Sequence, residues 1–240
     1  MNWVFNNLDL ILELSIHHLR LSIPPIIIGF VISIPLGYLA YRFKLTRGLL
    51  LTVAGLLYTI PSLALFVILP PLLGISFLSE VNIVIGLTIY AVAIMARSVA
   101  DALQSVDPAI RQSATAVGFG GWRRFWVVEF PLAGPVILAG LRVTAVSTVS
   151  LVTVGSLIGI QSLGYLFTNG LARLILAEVF AGLIMVVVIA LLVDALLSLI
   201  GRWLMPWAPR RTKVTRVEID RPVQVGNSQG LGTQGMGSGS

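Results

Sequence analysis

Apolar residues in this chain come in long runs separated by short polar or glycine-rich breaks, with neither the alternation of a half-buried strand nor the one-sided stripe of a soluble helix. A bilayer core demands about 20 consecutive apolar residues as helix. Five runs come near that length: 21–41, 48–69, 83–99, 131–158 and 179–200. Pro24, Pro25, Pro35, Pro61 and Pro135 lie within them. They predict either kinks whose freed carbonyls find partners on neighbouring helices or a bent helix lining a pore. Ahead of the first run, MNWVFNNLDLILELSIHHLR has no basic start and is interrupted by Asp9 and Glu13, which predicts an interfacial amphipathic helix rather than a cleaved leader. The pattern predicts an all-α polytopic membrane protein of about five spans.

Composition narrows the function classes. Hydrophobic residues make up 57% of the 240 and charged ones 11%, too little polar surface to coat a soluble globule. A net charge of +6 would suit a nucleic-acid binder in a soluble chain, but here the basic residues sit between apolar runs, so no nucleic-acid partner is expected. The absence of cysteine excludes disulfides, thiol catalysis and thiolate metal sites. His17 and His18 have no neighbouring carboxylate or third imidazole in the sequence, so they are expected at the interface and no metal is expected.

Lysine and arginine placement predicts the orientation. Arg42, Lys44 and Arg47 follow the first run; Arg111, Arg123 and Arg124 lie between the third and fourth; Arg202, Arg210, Arg211, Lys213, Arg216 and Arg221 follow the fifth. GISFLSE has no basic residue, and 159–177 has only Arg173. The positive-inside rule then places the N-terminus outside and the C-terminus in the cytosol. The closing GNSQGLGTQGMGSGS predicts a disordered cytosolic tail. The expected organisation is an extracytoplasmic or interfacial segment 1–20, a membrane domain 21–205 and a tail 206–240.

One segment on the expected cytosolic side carries more pattern than a loop needs. In DPAIRQSATAVGFGGWRRFWVVEF, Asp107 reads as a helix N-cap with Pro108 at the first helical position. Gly118, Gly120 and Gly121 stop that helix by supplying positive φ, and a short basic-aromatic helix then leads into Pro131. Residues 104–130 thus predict a compact projecting knob. The plainer reading is a connecting loop with interfacial Trp and Arg anchors.

These residues resemble the signature of permease subunits of binding-protein-dependent ABC importers, which runs Glu-Ala-Ala, a short gap, Gly, a longer gap, then an apolar residue and Leu-Pro. The matching positions here are Ser113, Ala114, Thr115, Gly118 and Phe130–Pro131. Ser113 stands for the acid, Thr115 for the second Ala, and Phe130 precedes the proline. Further stretches, YTIPSLALFVILPPLLGI, SVDPAIRQSATAVG, LAGLR and SLGYLFTNGL, are similar in order to the osmoprotectant-type permeases for glycine betaine, carnitine and choline. The resemblance runs over residues 20–205 or so.

The resemblance implies the type I ABC importer permease fold in a bacterial cell membrane. It also implies that the knob docks on a dimer of separate ATP-hydrolysing subunits, through Asp107, Arg111, Ser113, Ala114, Thr115, Gly118, Arg123 and Arg124. A second permease subunit, a copy or a paralogue, and an extracytoplasmic substrate-binding protein complete the implied assembly. ATP and Mg belong to the partner: no G-x-x-x-x-G-K-[ST] phosphate loop occurs in this chain, which is expected to hold no cofactor and to be no enzyme.

Aromatic faces recognise quaternary ammonium solutes, so Tyr38, Tyr58 and Tyr90 are candidates to line the path, with packing or belt roles the plainer alternative; Ser62 is a further path candidate. Ionisable side chains within spans are functional candidates by default. Arg142 lies about 16 Å up the fourth run and Asp194 about 12 Å up the fifth from the same end, counted at 1.5 Å per residue. An ion pair is expected, as a structural tie or as part of a gate. Arg97 and Asp101, four apart, predict a pair on one helix face. A secondary transporter would show inverted repeats and half-helices, and a membrane hydrolase a nucleophile with its base; the sequence shows neither pattern. An importer of the same class for another small solute, such as an amino acid, stays open.

Overall fold

The computed structural model describes residues 2–207, so the expected tail lies, past 207, outside the described residues. A short α1 (Asn2–Asn6) precedes α2 (Leu8–Arg42), which is followed by α3 (Lys44–Thr59), α4 (Ser62–Leu73) and α5 (Glu80–Gln104). Next come α6 (Pro108–Ala116), α7 (Gly121–Arg124), a π-helical turn Phe125–Glu129 and α8 (Phe130–Val152). A 3₁₀ turn Thr153–Ile158, α9 (Gly164–Ala172) and α10 (Leu176–Leu204) complete the described residues. Four helical stretches are long and apolar enough to cross a membrane, and counting α3 with α4 as one broken span makes five.

The residues expected as a separate interfacial helix are largely the opening turns of α2, which runs unbroken for 35 residues. At about 1.5 Å per residue it is about 52 Å long, well beyond the ~30 Å hydrocarbon core. Its prolines Pro24, Pro25 and Pro35 stay within the helix. The centre of the protein is where α2 and α5 meet. A Cβ at Gly29 would lie 2.5 Å from Cβ of Ala91, and one at Gly37 would lie 2.5 Å from Cβ of Val99, so the two backbones approach as only small residues allow. Around that seam Met95, Val99, Leu103, Phe125 and Ile137 form a dry cluster joining α5 to α8. The outer faces, such as Leu183, Val187, Leu191 and Leu192 of α10, are exposed and apolar, as a lipid-facing surface requires.

The second expected span is not one helix. It breaks at Ile60 and Pro61, both extended, and the two halves lie at 102° to each other. Pro61 cannot donate an N–H and disfavours helical geometry at Ile60, so the break falls there. The carbonyl of Ile60 accepts from the Tyr90 hydroxyl of α5. A similar repair operates at Pro70: its missing N–H leaves the Phe66 carbonyl free, and Asn82 Nδ2 donates to that oxygen at 2.9 Å.

Two expectations about polar pairs are corrected. Arg97 does not pair with Asp101: Asp101 accepts from Arg47 of α3 at 3.2 Å, and Arg97 reaches the Leu51 carbonyl at 3.5 Å. His18 is not interfacial but fully buried, with Nε2 donating to the Val149 carbonyl at 2.9 Å. That oxygen is available because α8 tightens there, the Thr153 N–H bonding Ser150 and Leu151 instead.

Candidate functional site

The knob begins as its sequence predicts. Asp107 accepts from the Ala109 N–H at 2.8 Å, Pro108 opens α6, and no side chain of α6 is buried. At the other end Phe119 N–H bonds the Ala114 carbonyl and Gly118 N–H the Thr115 carbonyl, both at 3.0 Å, with Gly118 at φ +92°. This is the Schellman arrangement, which calls for a residue tolerant of left-handed geometry. Gly118 alone does so in this turn: Gly120 is extended and N-caps α7, and Gly121 is helical. Val117 and Trp122 stand out at 78% and 67% exposed. Asp107, Ser113, Thr115 and Arg123 are also exposed, and Ala114 is half-buried.

Of the three arginines expected at the docking contact, two turn inward. Arg111 Nη2 donates to the carbonyls of Leu103 at 3.0 Å, Gln104 at 3.3 Å and Val106 at 2.5 Å, and its guanidinium lies over the Tyr41 ring. Arg124 Nε donates to Glu129 Oε1 at 2.6 Å and Nη1 to Thr115 Oγ1 at 2.7 Å. Only Arg123, stacked on Phe119 at 5.1 Å, stays on the exposed face.

The candidate path residues divide. Tyr58 and Tyr90 meet edge to face with centroids 6.0 Å apart, and together with Ser62, Ser147 and Ser150 they line a cleft of about 460 Å³ beside the broken span. Tyr38 is elsewhere: its ring lies 4.5 Å from Phe125 and 6.4 Å from Trp122, at the root of the knob. Arg142 and Asp194 come together as a bidentate pair, Nε to Oδ1 at 2.6 Å and Nη2 to Oδ2 at 2.5 Å, tying α8 to α10.

Residues 33–208 match the family described as the binding-protein-dependent transport system inner membrane component. The chain belongs to that family. The osmoprotectant import permease protein OsmW of Salmonella typhimurium is 32% identical over 82% of this chain and 93% of its own length. The glycine betaine/carnitine/choline transport system permease protein OpuCB of Bacillus subtilis is 29% identical over 79% of this chain and 86% of its own. The carnitine transport permease protein OpuCD of Listeria monocytogenes is 31% identical over 82% and 88%. In fold the chain is similar to an inward-facing MetNI methionine ABC transporter, with a TM-score of 0.75 at 21% identity over 83% of this chain and 98% of that one. This permease is thus a non-catalytic membrane subunit, and its family implies an ATPase and a substrate-binding protein as separate partners.

Several groups that shape the permease's sites were not singled out in the sequence. Ser147 and Ser150 face the cleft from α8, where two serines in an apolar run give no sign of which face they occupy. Glu129, 1% exposed, reads in sequence as one more charge in a polar loop. Glu178, fully buried, accepts from Asn169 Nδ2 at 2.6 Å and closes the α9–α10 hairpin around Leu174, whose φ is +57°. Its one local signal is position, since an acid in the first turn suits a helix N-terminus.

Proposed function

We propose that this chain is the permease of an ATP-driven importer of quaternary ammonium osmoprotectants such as glycine betaine, choline or carnitine. It works beside a second permease subunit, with a dimer of ATPase subunits engaging the knob and an extracytoplasmic binding protein delivering solute. The observation that carries the solute class is the tyrosine-walled cleft at the broken span. Tyr58, 53% exposed, offers an aromatic face to a cation that can donate no hydrogen bond, with the buried Tyr90 packed edge to face against it, while Ser62, Ser147 and Ser150 offer hydroxyls to the solute's polar end. Relatives whose names carry osmoprotectants, betaine, choline and carnitine support the same class. Closure of the ATPase dimer acts on the knob, and the permease alternates between two packings whose relative stability nucleotide and solute set.

The decisive experiment is reconstitution of the intact assembly with its binding protein in liposomes. ATP hydrolysis is expected to rise with glycine betaine, choline or carnitine and to stay at its basal rate with methionine or histidine. Stimulation by an amino acid alone would favour the amino-acid importer, and uptake driven by an ion gradient without ATP would overturn the ABC mechanism.

The orientation proposed is N-terminus outside, C-terminus and knob in the cytosol, on the basic-residue bias. Since the chain has no cysteine, single probes are clean. Ser76, exposed and outside any helix, is a better site than the half-buried Ser79 at the start of α5. In intact cells a Ser76→Cys chain is expected to react with an impermeant maleimide and a Ser113→Cys chain to stay unlabelled; the reverse pattern would invert the topology.

A further inference from the structure

The surface of α6 is exposed, but nothing in its own packing holds it: none of its side chains is buried, and three glycines lie between it and the span that follows. A segment so attached would swing on its turn when pushed. Two arginines prevent this. Arg111 fastens α6 backwards, onto the free carbonyls at the end of α5. Arg124 fastens it forwards, its planar fork reaching Thr115 of α6 through Nη1 and Glu129 at the foot of α8 through Nε. Thr115 in turn donates to the Arg111 carbonyl at 2.8 Å, so the bonds run without a gap from α5 through the knob to α8.

Glu129 is the fixed point of this chain of contacts. Its carboxylate is 1% exposed, and Arg124 is its only salt-bridge partner among the described residues. A charge held so dry is costly unless paired, so it pins the guanidinium rather than sharing it with solvent. It closes the π-helical turn Phe125–Glu129, an irregularity of the kind frequent at functional sites. The ion pair from Arg124 to Glu129 spans that turn, beside the buried Phe125 ring, and ties its two ends together.

We infer that Glu129 is a positioning residue whose buried ion pair with Arg124, extended to Thr115, makes the knob and α8 move as one body, so that force on the exposed face of α6 reaches the membrane span. The inference rests on the coupling role proposed above. It assigns Arg124 an internal task rather than contact with the ATPase, and it gives Thr115, a departure from the family's alanine, a use: its hydroxyl is the far end of the strut.

The test uses the intact assembly carrying Glu129→Gln, which keeps the side chain's shape without its charge, or Arg124→Lys, which cannot fork. Both variants are expected to retain the ATPase subunit and the basal rate of hydrolysis, while stimulation by loaded binding protein falls about tenfold, within the range usual for coupling between sites. A nitroxide on Val117→Cys should become more mobile in either variant, and one on Leu192→Cys of α10 should not change. The exchange Arg124→Glu with Glu129→Arg should recover part of both readouts. Unchanged mobility at residue 117 in well-folded Glu129→Gln protein would overturn the strut, as would loss of ATPase retention in step with stimulation, because the pair would then only shape the docking surface. Wild-type protein that retains no ATPase would sink the coupling reading and this inference together; a responsive wild type matched by Glu129→Gln would sink the strut alone.

Discussion

Gly118→Val is expected to abolish solute-stimulated ATP hydrolysis and to weaken retention of the ATPase subunit, while the amount of membrane-inserted permease stays at the wild-type level. A Cβ at this position would meet no atom within 4 Å, so the valine is not excluded by crowding inside the chain. The strain comes from φ +92°, a region that β-branched residues avoid, at about 1–3 kcal/mol. The turn can relieve that strain only by giving up the bonds from Gly118 and Phe119 to the end of α6, which frees carbonyls and re-aims the helix. The spans do not depend on this turn, so insertion is spared. Co-purification of the ATPase and a stimulation assay on the same preparation check both halves. Normal stimulation by a well-expressed Gly118→Val assembly would mean that 107–126 is only a connection.

Arg142→Leu or Asp194→Leu alone is expected to lower the yield of folded assembly sharply, and the double change to restore it in part. The pair is bidentate and joins two membrane helices, α8 and α10. Both residues sit on helices apolar enough to cross a membrane, and a charge left alone on such a helix costs about 3 kcal/mol, whereas removing both takes away the attraction and the desolvation penalty together. The side chains are 39% and 27% exposed in the single chain, so the pair is not sealed by this chain's own packing. Detergent-resistant assembly, quantified by size exclusion for the two single changes and the double, checks the cycle. Losses that simply add would show that the two residues do not act on each other, and a double variant that assembles but transports nothing would move the pair from tie to gate.

The sequence alone determined much of this protein, wherever the cause of structure is local. A run of apolar residues must form hydrogen bonds within itself to sit in lipid, so the spans at α2, α5, α8 and α10 are legible from composition along the chain. The knob is legible for the same reason, because an N-cap at Asp107 and a left-handed turn at Gly118 act on residues a few positions away. Even the Arg142–Asp194 pair follows from depth along two helices of known rise. Prolines show where this reasoning stops. Pro24, Pro25 and Pro35 look no different in sequence from Pro61, yet α2 continues through the first three and the second span turns by 102° at the last. Local chemistry says only that each proline removes one N–H; the Asn82 amide serves the Phe66 carbonyl that Pro70 leaves without its donor inside an unbroken α4, while at Pro61 the chain breaks and the Tyr90 hydroxyl meets the Ile60 carbonyl exposed there. The arginines obey the same limit. Arg111, Arg123 and Arg124 are equal as charges in a loop, but carbonyls at the end of α5 and a buried carboxylate at the foot of α8 claim two of them and leave one outward. Those partners are supplied by packing between elements, so only the tertiary structure could decide which side chain anchors the knob and which is left facing outward.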